Sequence, residues 1–385
     1  MTRTEPRRIA ILGAGPVGLE AALYAAALQL PFTVYERGRV GEHLRRWGHV
    51  RLFSPFGMNS TPLGRARVQA DQPQHALPEA NAVVTGREHV GAYLEPLALS
   101  PALTPSIREN ATVLHVGRRG LLKEDYPGDA RRAKEPFRLL VRDDKGKERV
   151  EQADVVLDCT GVYGHPRWLG DGGIPALGET AARPHVAYGL EDVAGERKNT
   201  YADKTTLVIG AGYSAATTVC ALSALAEKHP ATWVIWLARG AGTQPIRRTA
   251  NDPLRDRDHI AVRANNLATR PDGNVEFHPQ TVVESVETAG PDRGFKVGAR
   301  CGGKAVSWDV ERMIANVGYS ADADLCRELQ VGEAAVRHAE PNYYMLGAKS
   351  HGRDSNFLLR SGFEQVREVF TLLTGKPGLD LYKSH

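Results

Sequence analysis

Residues 9–20 of the chain read IAILGAGPVGLE, a run of branched apolar residues that leads into a glycine-rich turn and then into an alanine-rich segment. Gly13, Gly15 and Gly18 allow the backbone to turn sharply and to approach a pyrophosphate, and Pro16 suits the first position of a helix. The start of that helix presents unpaired N–H groups to the phosphates. The stretch therefore predicts a strand, a turn and a helix of the Rossmann-like, dinucleotide-binding kind.

A second stretch of the same kind, TLVIGAGYSAA, occupies residues 206–216. One match carries little weight, but two matches with the correct flanks favour two nucleotides bound by one chain. The alternative is that one of the two fingerprints is only a structural relic. The residues expected at the second site are Gly210, Gly212, Tyr213, Ser214 and Ala215.

The residue after the second strand of each unit distinguishes the two nucleotides. The first unit continues with FTVY and then Glu36, whose carboxylate suits a ribose diol and would repel a 2′-phosphate. The second continues with WVIWLA and then Arg239, whose cation suits the 2′-phosphate of NADP. We therefore expect FAD at the first site, with Glu36 and Arg37 among its contacts, and NADPH at the second.

The composition is that of a globular protein, with 385 residues, 42% of them hydrophobic and 24% charged. A net charge of +4 with scattered basic residues gives no basis for nucleic-acid binding. The sequence has no run of about 18 apolar residues, so no membrane span is predicted. The N-terminal arginines precede a strand and not a signal peptide, so we expect a cytoplasmic protein. Homodimer formation stays open.

The order of the elements predicts an α/β fold with two Rossmann-like domains, the NADPH domain being inserted into the FAD domain. We expect the FAD-binding domain at residues 1–165 and 311–385 and the NADPH-binding domain at 200–305. Residues 166–199 would connect them. A helix predicted at 356–373 would complete the first domain.

The pattern resembles the flavoproteins with two dinucleotide-binding domains, a superfamily that covers thioredoxin-reductase-like enzymes and flavin-containing (class B) monooxygenases. The segments that carry the likeness span nearly the whole chain: 13–18 with Glu36, 158–161, 210–215 with Arg239, and 316–322. The resemblance implies the fold, both cofactors and hydride transfer from NADPH to FAD.

Three departures leave the branch of the superfamily open. The dithiol reductases of the thioredoxin-reductase type carry Cys-x-x-Cys, which this sequence lacks, and no metal-binding spacing is present either. Single-cysteine reductases similar to bacillithiol disulfide reductase place a cysteine after the Gly-Pro of the first turn, where this chain has Val17. The monooxygenases carry Phe-x-Gly-x-x-x-His ahead of the second fingerprint, where this chain has the unlike segments 164–168 and 184–186.

A stretch rich in arginine and aromatic residues, 45–59, resembles the segment with which monooxygenases line the flavin. By this likeness the amide of Asn59 would hydrogen-bond a flavin oxygen or a peroxide. An equally favoured alternative is that Asn59 is a plain turn residue. The other residues that the likeness places at the cofactor are Arg45, Trp47, Ser54 and Pro55.

His165 and His351 lie near turns that are expected to face the flavin, and either could shuttle a proton at neutral pH. Because the sequence has 13 histidines, each is also explained as a surface or capping residue. In this superfamily the C-terminal helix points its N-terminus at the flavin, where the helix dipole favours negative charge. The remaining residues expected at FAD are Thr160, Gly161, Gly347, Asn356 and Phe357.

These patterns predict an FAD- and NADPH-dependent oxidoreductase. The leading hypothesis is a monooxygenase that uses O2 and oxygenates a small molecule through a C4a-(hydro)peroxyflavin. One alternative is an NADPH-dependent flavin reductase of a disulfide, a quinone or a similar acceptor. An alternative of another class is a redox sensor that holds FAD without turnover.

Overall fold

The computed structural model describes residues 7–290, 293–332, 334–352 and 357–383. Short strands dominate its two units. They are β1 (Ile9–Leu12), β2 (Phe32–Tyr35), β3 (Ile107–Arg108), β4 (Thr112–Arg118), β5 (Phe137–Arg142), β6 (Glu148–Ala153), β7 (Val155–Asp158), β8 (Thr205–Ile209), β9 (Trp233–Leu237), β10 (Val275–His278), β11 (Thr281–Thr288), β12 (Phe295–Cys301), β13 (Lys304–Val310), β14 (Arg312–Ala315) and β15 (Tyr343–Met345).

The α-helices range from single turns to helices of 16 residues. They are α1 (Pro16–Ala27), α2 (Glu42–Arg46), α3 (Phe56–Asn59), α4 (Pro62–Asp71), α5 (Gly86–His89), α6 (Glu95–Ala98), α7 (Glu179–Ala182), α8 (Lys198–Tyr201), α9 (Tyr213–Ala226), α10 (Arg255–Thr269) and α11 (Leu359–Thr374). Over the described ranges, none of these helices is long and apolar enough to cross a membrane.

The first compact unit comprises Met1–His165 and Ser320–His385. Its parallel sheet has the strand order β15-β7-β1-β2-β3, and an antiparallel sheet β4-β5-β6 accompanies it. Leu12 of β1 pairs with Tyr35 of β2 and with Asp158 of β7, so these three strands end at the same level. The residues that follow them, including the first glycine turn, therefore meet at the carboxyl edge of the sheet, where α/β folds bind ligands.

The second compact unit comprises Pro166–Tyr319. Its parallel sheet has the order β10-β9-β8-β14, and β11-β12-β13 form an antiparallel sheet. Ile209 of β8 pairs with Leu237 of β9 and with Ala315 of β14. Each unit thus repeats the sequence of strand, glycine turn, helix and parallel neighbouring strand that the fingerprints predict.

The structure confirms the insertion of one unit into the other but places the boundaries differently from the prediction. β14 pairs with β8, so residues 312–315 complete the second sheet and do not return to the first unit as the predicted 311–385 segment required. Residues 166–199 also belong to the second unit, since Ala187 bridges Ile314 and Leu177 bridges Ser285. An apolar strand does not reveal in its own sequence which sheet it will join.

Helix α11 packs on α1 close to the first glycine turn. A Cβ atom on Gly362 would lie 2.6 Å from Cγ2 of Val17, so the two helices approach closely at this point. The helix begins at Leu359 and not at 356 as predicted, and Leu358 precedes it without a side-chain cap. Residues 353–356, which include Asn356, lie outside the described residues.

A buried carboxyl group, Glu20, lies in the middle of α1 with 1% of its surface exposed. The hydroxyl of Thr61, at the N-cap of α4, donates to its Oε2 at 3.0 Å. Burial raises the pKa of Glu20 to about 7, and the hydrogen bonds that favour the carboxylate offset only part of this effect. Among the described residues no cation pairs with this carboxyl group, in contrast to the buried ion pair described below for Asp158, so ionisation of Glu20 opposes folding.

The stability of the protein should therefore depend on pH through Glu20. As pH rises from about 4.5 to 7 the unfolded chain loses this proton first, so the folded state loses stability across that window. We expect the stability gain of Glu20→Gln over the wild type to be about 2–3 kcal/mol larger at pH 8 than at pH 5. Urea unfolding of both proteins at the two pH values measures this difference. Taking the difference between variant and wild type cancels the titration of all other groups. A difference that does not change with pH would show that Glu20 ionises as in water.

Candidate functional site

The first glycine turn connects β1 to α1, and its three glycines meet different surroundings. Gly13 has a φ of +96°, and a Cβ atom there would lie 2.9 Å from the carbonyl oxygen of Cys159. A Cβ atom on Gly18 would lie 1.9 Å from the carbonyl oxygen of Gly13. Gly15, at the N-cap of α1, has no heavy atom within 4 Å of its Cβ position. The first two glycines are thus needed by the fold, whereas Gly15 leaves open space directly above the helix N-terminus, as a pyrophosphate requires.

Glu36 follows β2 and supports this turn. Its Oε2 accepts a hydrogen bond from the N–H of Ala14 at 2.8 Å, and its Oε1 accepts one from Gly38 at 2.8 Å. Burial raises the pKa of Glu36, although both N–H donors favour the carboxylate. Each carboxylate oxygen can accept a further hydrogen bond, so this position remains suited to the predicted ribose diol.

The carboxylate of Asp158 ends β7 and is part of a buried ion pair that the sequence analysis did not foresee. Lys349 donates to its Oδ2 at 2.7 Å, and both side chains are fully buried. Tyr343 donates to the same oxygen at 2.7 Å, and the hydroxyl of Thr160 donates to Oδ1 at 2.6 Å. Burial pushes the pKa of Asp158 upward, but Lys349 and the hydrogen bonds outweigh it and hold the pKa below its ordinary value.

This network joins two segments predicted to contact FAD. Thr160 lies after β7, directly beside the first glycine turn, and is followed by Gly161. Lys349 belongs to the 3₁₀ turn Gly347–His351 that follows β15. The ion pair therefore fixes this turn to the carboxyl edge of the sheet.

The turn Gly347–His351 is also held to α11. Gln365 accepts a hydrogen bond from the N–H of Gly347 at 2.8 Å and donates to the hydroxyl of Ser350 at 2.8 Å. The ring of His351 lies 4.9 Å from that of Phe357. The structure thus brings Gly347, His351 and Phe357 together.

Ser54 and Asn59 are bound to each other. The hydroxyl of Ser54 donates to Oδ1 of Asn59 at 2.7 Å, and Nδ2 of Asn59 donates to the carbonyl oxygen of Ser54 at 2.8 Å. Pro55 lies between them as the N-cap of α3, and Asn59 is its last residue. This geometry supports the turn alternative for Asn59, and it leaves one N–H of the amide for a further acceptor.

The two other candidates from segment 45–59, Arg45 and Trp47, differ in whether their side chains already have hydrogen-bond partners. The guanidinium of Arg45 donates to the carbonyl oxygen of Val40 at 2.9 Å and pairs with Glu95, so a cofactor contact would have to replace these bonds. The indole of Trp47 lies 5.9 Å from the ring of Tyr163, measured between centroids. Its Nε1 is buried and has no hydrogen-bond partner among the described residues, so it is a free donor for a ligand atom.

Arg37 and His165 each lie close to one other ionisable side chain. The guanidinium of Arg37 lies 3.3 Å from Nε2 of His43, and a Cβ atom on Gly164 would approach it to 2.7 Å. Burial, followed by the charge of Arg37, lowers the pKa of His43 to about 4, so this imidazole is neutral at pH 7. His165 lies 3.3 Å from the carboxylate of Asp322.

The second glycine turn repeats the geometry of the first within its own unit. A Cβ atom on Gly210 would lie 2.2 Å from the carbonyl oxygen of Asn316, whereas one on Gly212 would meet nothing within 4 Å. Gly212 is the N-cap of α9, and Tyr213 and Ser214 begin this helix. Ala215 is fully buried at the position of the third glycine. The open space again lies above a helix N-terminus.

The arginines near the second turn divide into paired and unpaired side chains. Arg248 pairs with Asp258 and Arg257 with Asp252, each through two N–H groups. Arg239 is exposed two residues after β9. Within the described parts of the chain, no acidic side chain pairs with it, so its charge is available to an anion.

Thiols and metal ligands are not assembled into a site. All four cysteines are unpaired, and burial raises the pKa of Cys159 and Cys326 and raises that of Cys220 to about 11. The described ranges contain no group of three or more His, Cys, Asp or Glu side chains that could hold a metal ion.

No protein-family model matches the sequence, and no curated protein matches it. Solved structures match over nearly the whole chain. Bacillithiol disulfide reductase Bdr from Bacillus cereus aligns with a TM-score of 0.71 at 16% identity, covering 97% of this chain and 100% of that one. The cadaverine monooxygenase DfoA from Erwinia amylovora, bound to FAD, aligns with a TM-score of 0.64 at 14% identity, covering 97% and 95%.

A third neighbour is the ornithine N-hydroxylase KtzI from Kutzneria sp. 744, in a structure with reduced FAD, NADP⁺ and L-ornithine. It has a TM-score of 0.60 at 15% identity and covers 97% of this chain and 100% of that one. At these identities the likeness shows the fold alone. It confirms the predicted α/β architecture with two Rossmann-like units, one inserted into the other.

Proposed function

We propose that the chain is an FAD-containing oxidoreductase that takes a hydride from NADPH. FAD is assigned to the first unit and NADPH to the second. Both glycine turns fit a pyrophosphate, because Gly15 and Gly212 leave open space above a helix N-terminus while the neighbouring glycines are required by the fold. Glu36 and the unpaired Arg239 supply the charges that distinguish the two nucleotides.

We further propose that the acceptor of the electrons is O2 and that the enzyme oxygenates a small molecule. The observation that carries this proposal is Val17. The single-cysteine reductases that the sequence resembles have a cysteine at this position, whereas Val17 is a buried apolar residue packed against Gly362. Burial also raises the pKa of the Cys159, Cys220 and Cys326 thiols, so these groups are protonated at neutral pH and poor nucleophiles.

The residues of the first unit would have separate tasks around a bound flavin. FAD itself supplies hydride acceptance and oxygen activation. Lys349 and Asp158 fix the turn Gly347–His351, and Trp47 offers a buried N–H donor. Asn59 is assigned to a hydrogen bond near the reacting oxygen, and His165 and His351 to proton transfer. The assignment of Asn59 follows the likeness of its segment to the monooxygenases, and those of the two histidines follow their places in the sequence. The position of His351 in the turn that Lys349 fixes supports its assignment.

The test is the fate of electrons from NADPH in the purified, FAD-loaded protein. We expect NADPH oxidation in air to consume O2 in a one-to-one ratio, with hydrogen peroxide formed when no substrate is present. A variant with all four cysteines replaced by serine should behave in the same way. Faster NADPH-dependent reduction of a small disulfide or a quinone without O2 would favour the reductase alternative. Failure to oxidise NADPH with any of these acceptors would favour the redox sensor.

Arg239 should determine the preference for NADPH over NADH. A charge-assisted contact with the 2′-phosphate contributes about 1.5–3 kcal/mol, so Arg239→Ala should raise the KM for NADPH about ten- to a hundredfold and leave that for NADH unchanged. Arg270→Ala is a suitable control, because Arg270 is an exposed arginine of the same unit that pairs with Asp272. An equal loss for both cofactors in Arg239→Ala would show that this arginine does not read the phosphate.

A further inference from the structure

The second unit contains a buried hydrogen-bond acceptor that lacks a donor. Asn316 follows β14 and is 7% exposed. Its Nδ2 donates to the carbonyl oxygen of Gly189 at 2.5 Å. Its Oδ1 is buried and, among the residues that the structure describes, has no hydrogen-bond partner. Leaving such a buried oxygen without a donor is unfavourable, so the position favours a ligand that brings an N–H or O–H group.

The orientation of this amide is fixed by its surroundings. Because only the nitrogen can donate to the carbonyl of Gly189, the oxygen must point the other way. Tyr188, the residue before Gly189, is held in place because its hydroxyl donates to Glu179 at 2.6 Å. The guanidinium of Arg183 covers the ring of Tyr188 at 4.5 Å. Oδ1 of Asn316 is therefore a preorganised acceptor.

Asn316 lies beside the glycine turn of the second fingerprint. A Cβ atom on Gly210 would come within 2.2 Å of the Asn316 carbonyl oxygen. The other buried, unpartnered hydroxyls of this unit, those of Thr206 and Thr218, lie inside β8 and α9. Within the described residues, Asn316 is thus the buried side chain with an unused acceptor that adjoins the turn.

The strand order tells which half of a dinucleotide passes this residue. β9 lies on one side of β8 and β14 on the other. In a Rossmann unit the adenosine ribose is read at the end of the second strand, which here is β9 and leads to Arg239, and the pyrophosphate lies at the helix N-terminus. The other half of the dinucleotide must then extend toward β14, where Asn316 is located.

We propose that Oδ1 of Asn316 accepts a hydrogen bond from the nicotinamide riboside half of NADPH. The donor is an N–H of its carboxamide or a ribose hydroxyl. Asn316 is thus a positioning residue for the hydride donor. This inference rests on the proposed binding of NADPH by the second unit.

The experiment measures the affinities for NADP⁺ and for 2′,5′-ADP by calorimetry. The second ligand has the 2′-phosphate but no nicotinamide half. Asn316→Ala should weaken NADP⁺ binding about tenfold and leave 2′,5′-ADP binding within twofold of the wild type. The control is Asn266→Ala, an exposed asparagine of α10, which should change neither affinity.

The outcomes separate the inference from the proposed function. Unchanged NADP⁺ affinity in Asn316→Ala would overturn the inference, and so would equal weakening of both ligands, because that result indicates a structural role. If the wild type bound neither ligand, the assignment of NADPH to the second unit would itself be wrong.

Discussion

Replacement of Gly15 by valine should yield a folded protein that purifies without flavin. The Cβ position of Gly15 meets no heavy atom within 4 Å, and its backbone angles, φ −79° and ψ −176°, are open to any residue. Valine therefore fits the free protein, but it occupies the space above the helix N-terminus that a pyrophosphate needs. We expect loss of the visible flavin spectrum, with a far-ultraviolet circular dichroism spectrum like that of the wild type.

Two other glycines supply matched comparisons. Gly117 in β4 also has no heavy atom within 4 Å of its Cβ position, so Gly117→Val should retain both the fold and the flavin. Gly18→Ala should fail to fold, because its Cβ atom would lie 1.9 Å from the carbonyl oxygen of Gly13. Full flavin content in Gly15→Val would remove the assignment of FAD to the first unit.

Lys349→Met should destabilise the protein by about 3–5 kcal/mol, because it leaves the buried carboxylate of Asp158 without its cation. That is a large part of the 5–15 kcal/mol that typically holds a domain together. The loss should shrink as the solution is made more acidic, since Asp158 can then take up a proton and become neutral. Urea unfolding at pH 5 and pH 8 measures both effects.

The double variant Asp158→Asn, Lys349→Met serves as the control. Removing both charges leaves no uncompensated ion, so most of the lost stability should return. If Lys349→Met unfolded at the same urea concentration as the wild type, the pair would contribute nothing. If the double variant were no more stable than the single one, the loss would come from packing of the lysine stem.

The sequence was sufficient to predict the elements built from neighbouring residues. Each glycine turn is defined by a strand before it and a helix after it, and Glu36 and Arg239 follow the second strand of their units as predicted. These features depend on local backbone geometry, and the types of the residues in a short segment largely determine that geometry. The inserted arrangement was predictable because the first unit, without the tail, is short of a complete sheet and a final helix.

The interior charges could not be predicted in this way. Lys349 forms an ion pair with a residue 191 positions away, and a lysine in a polar stretch has the signature of a surface residue. Glu20 lies inside an alanine-rich helix, where only the packing of α4 reveals that it is buried. Arg132 lies in the polar segment 123–135, yet it is fully buried and pairs with Glu340. Burial is a property of the whole fold and not of a segment.

The interrupted first unit has a consequence for the order in which the chain acquires structure during synthesis. Residues 166–319 are contiguous, so the second unit can fold soon after it leaves the ribosome. The first unit begins to emerge earlier but is completed later, because its sheet lacks β15 and Asp158 lacks Lys349 until residues 343–349 have been made. The unit that is started first is therefore completed after the second one, and β7 has no strand on its β15 side in the interval.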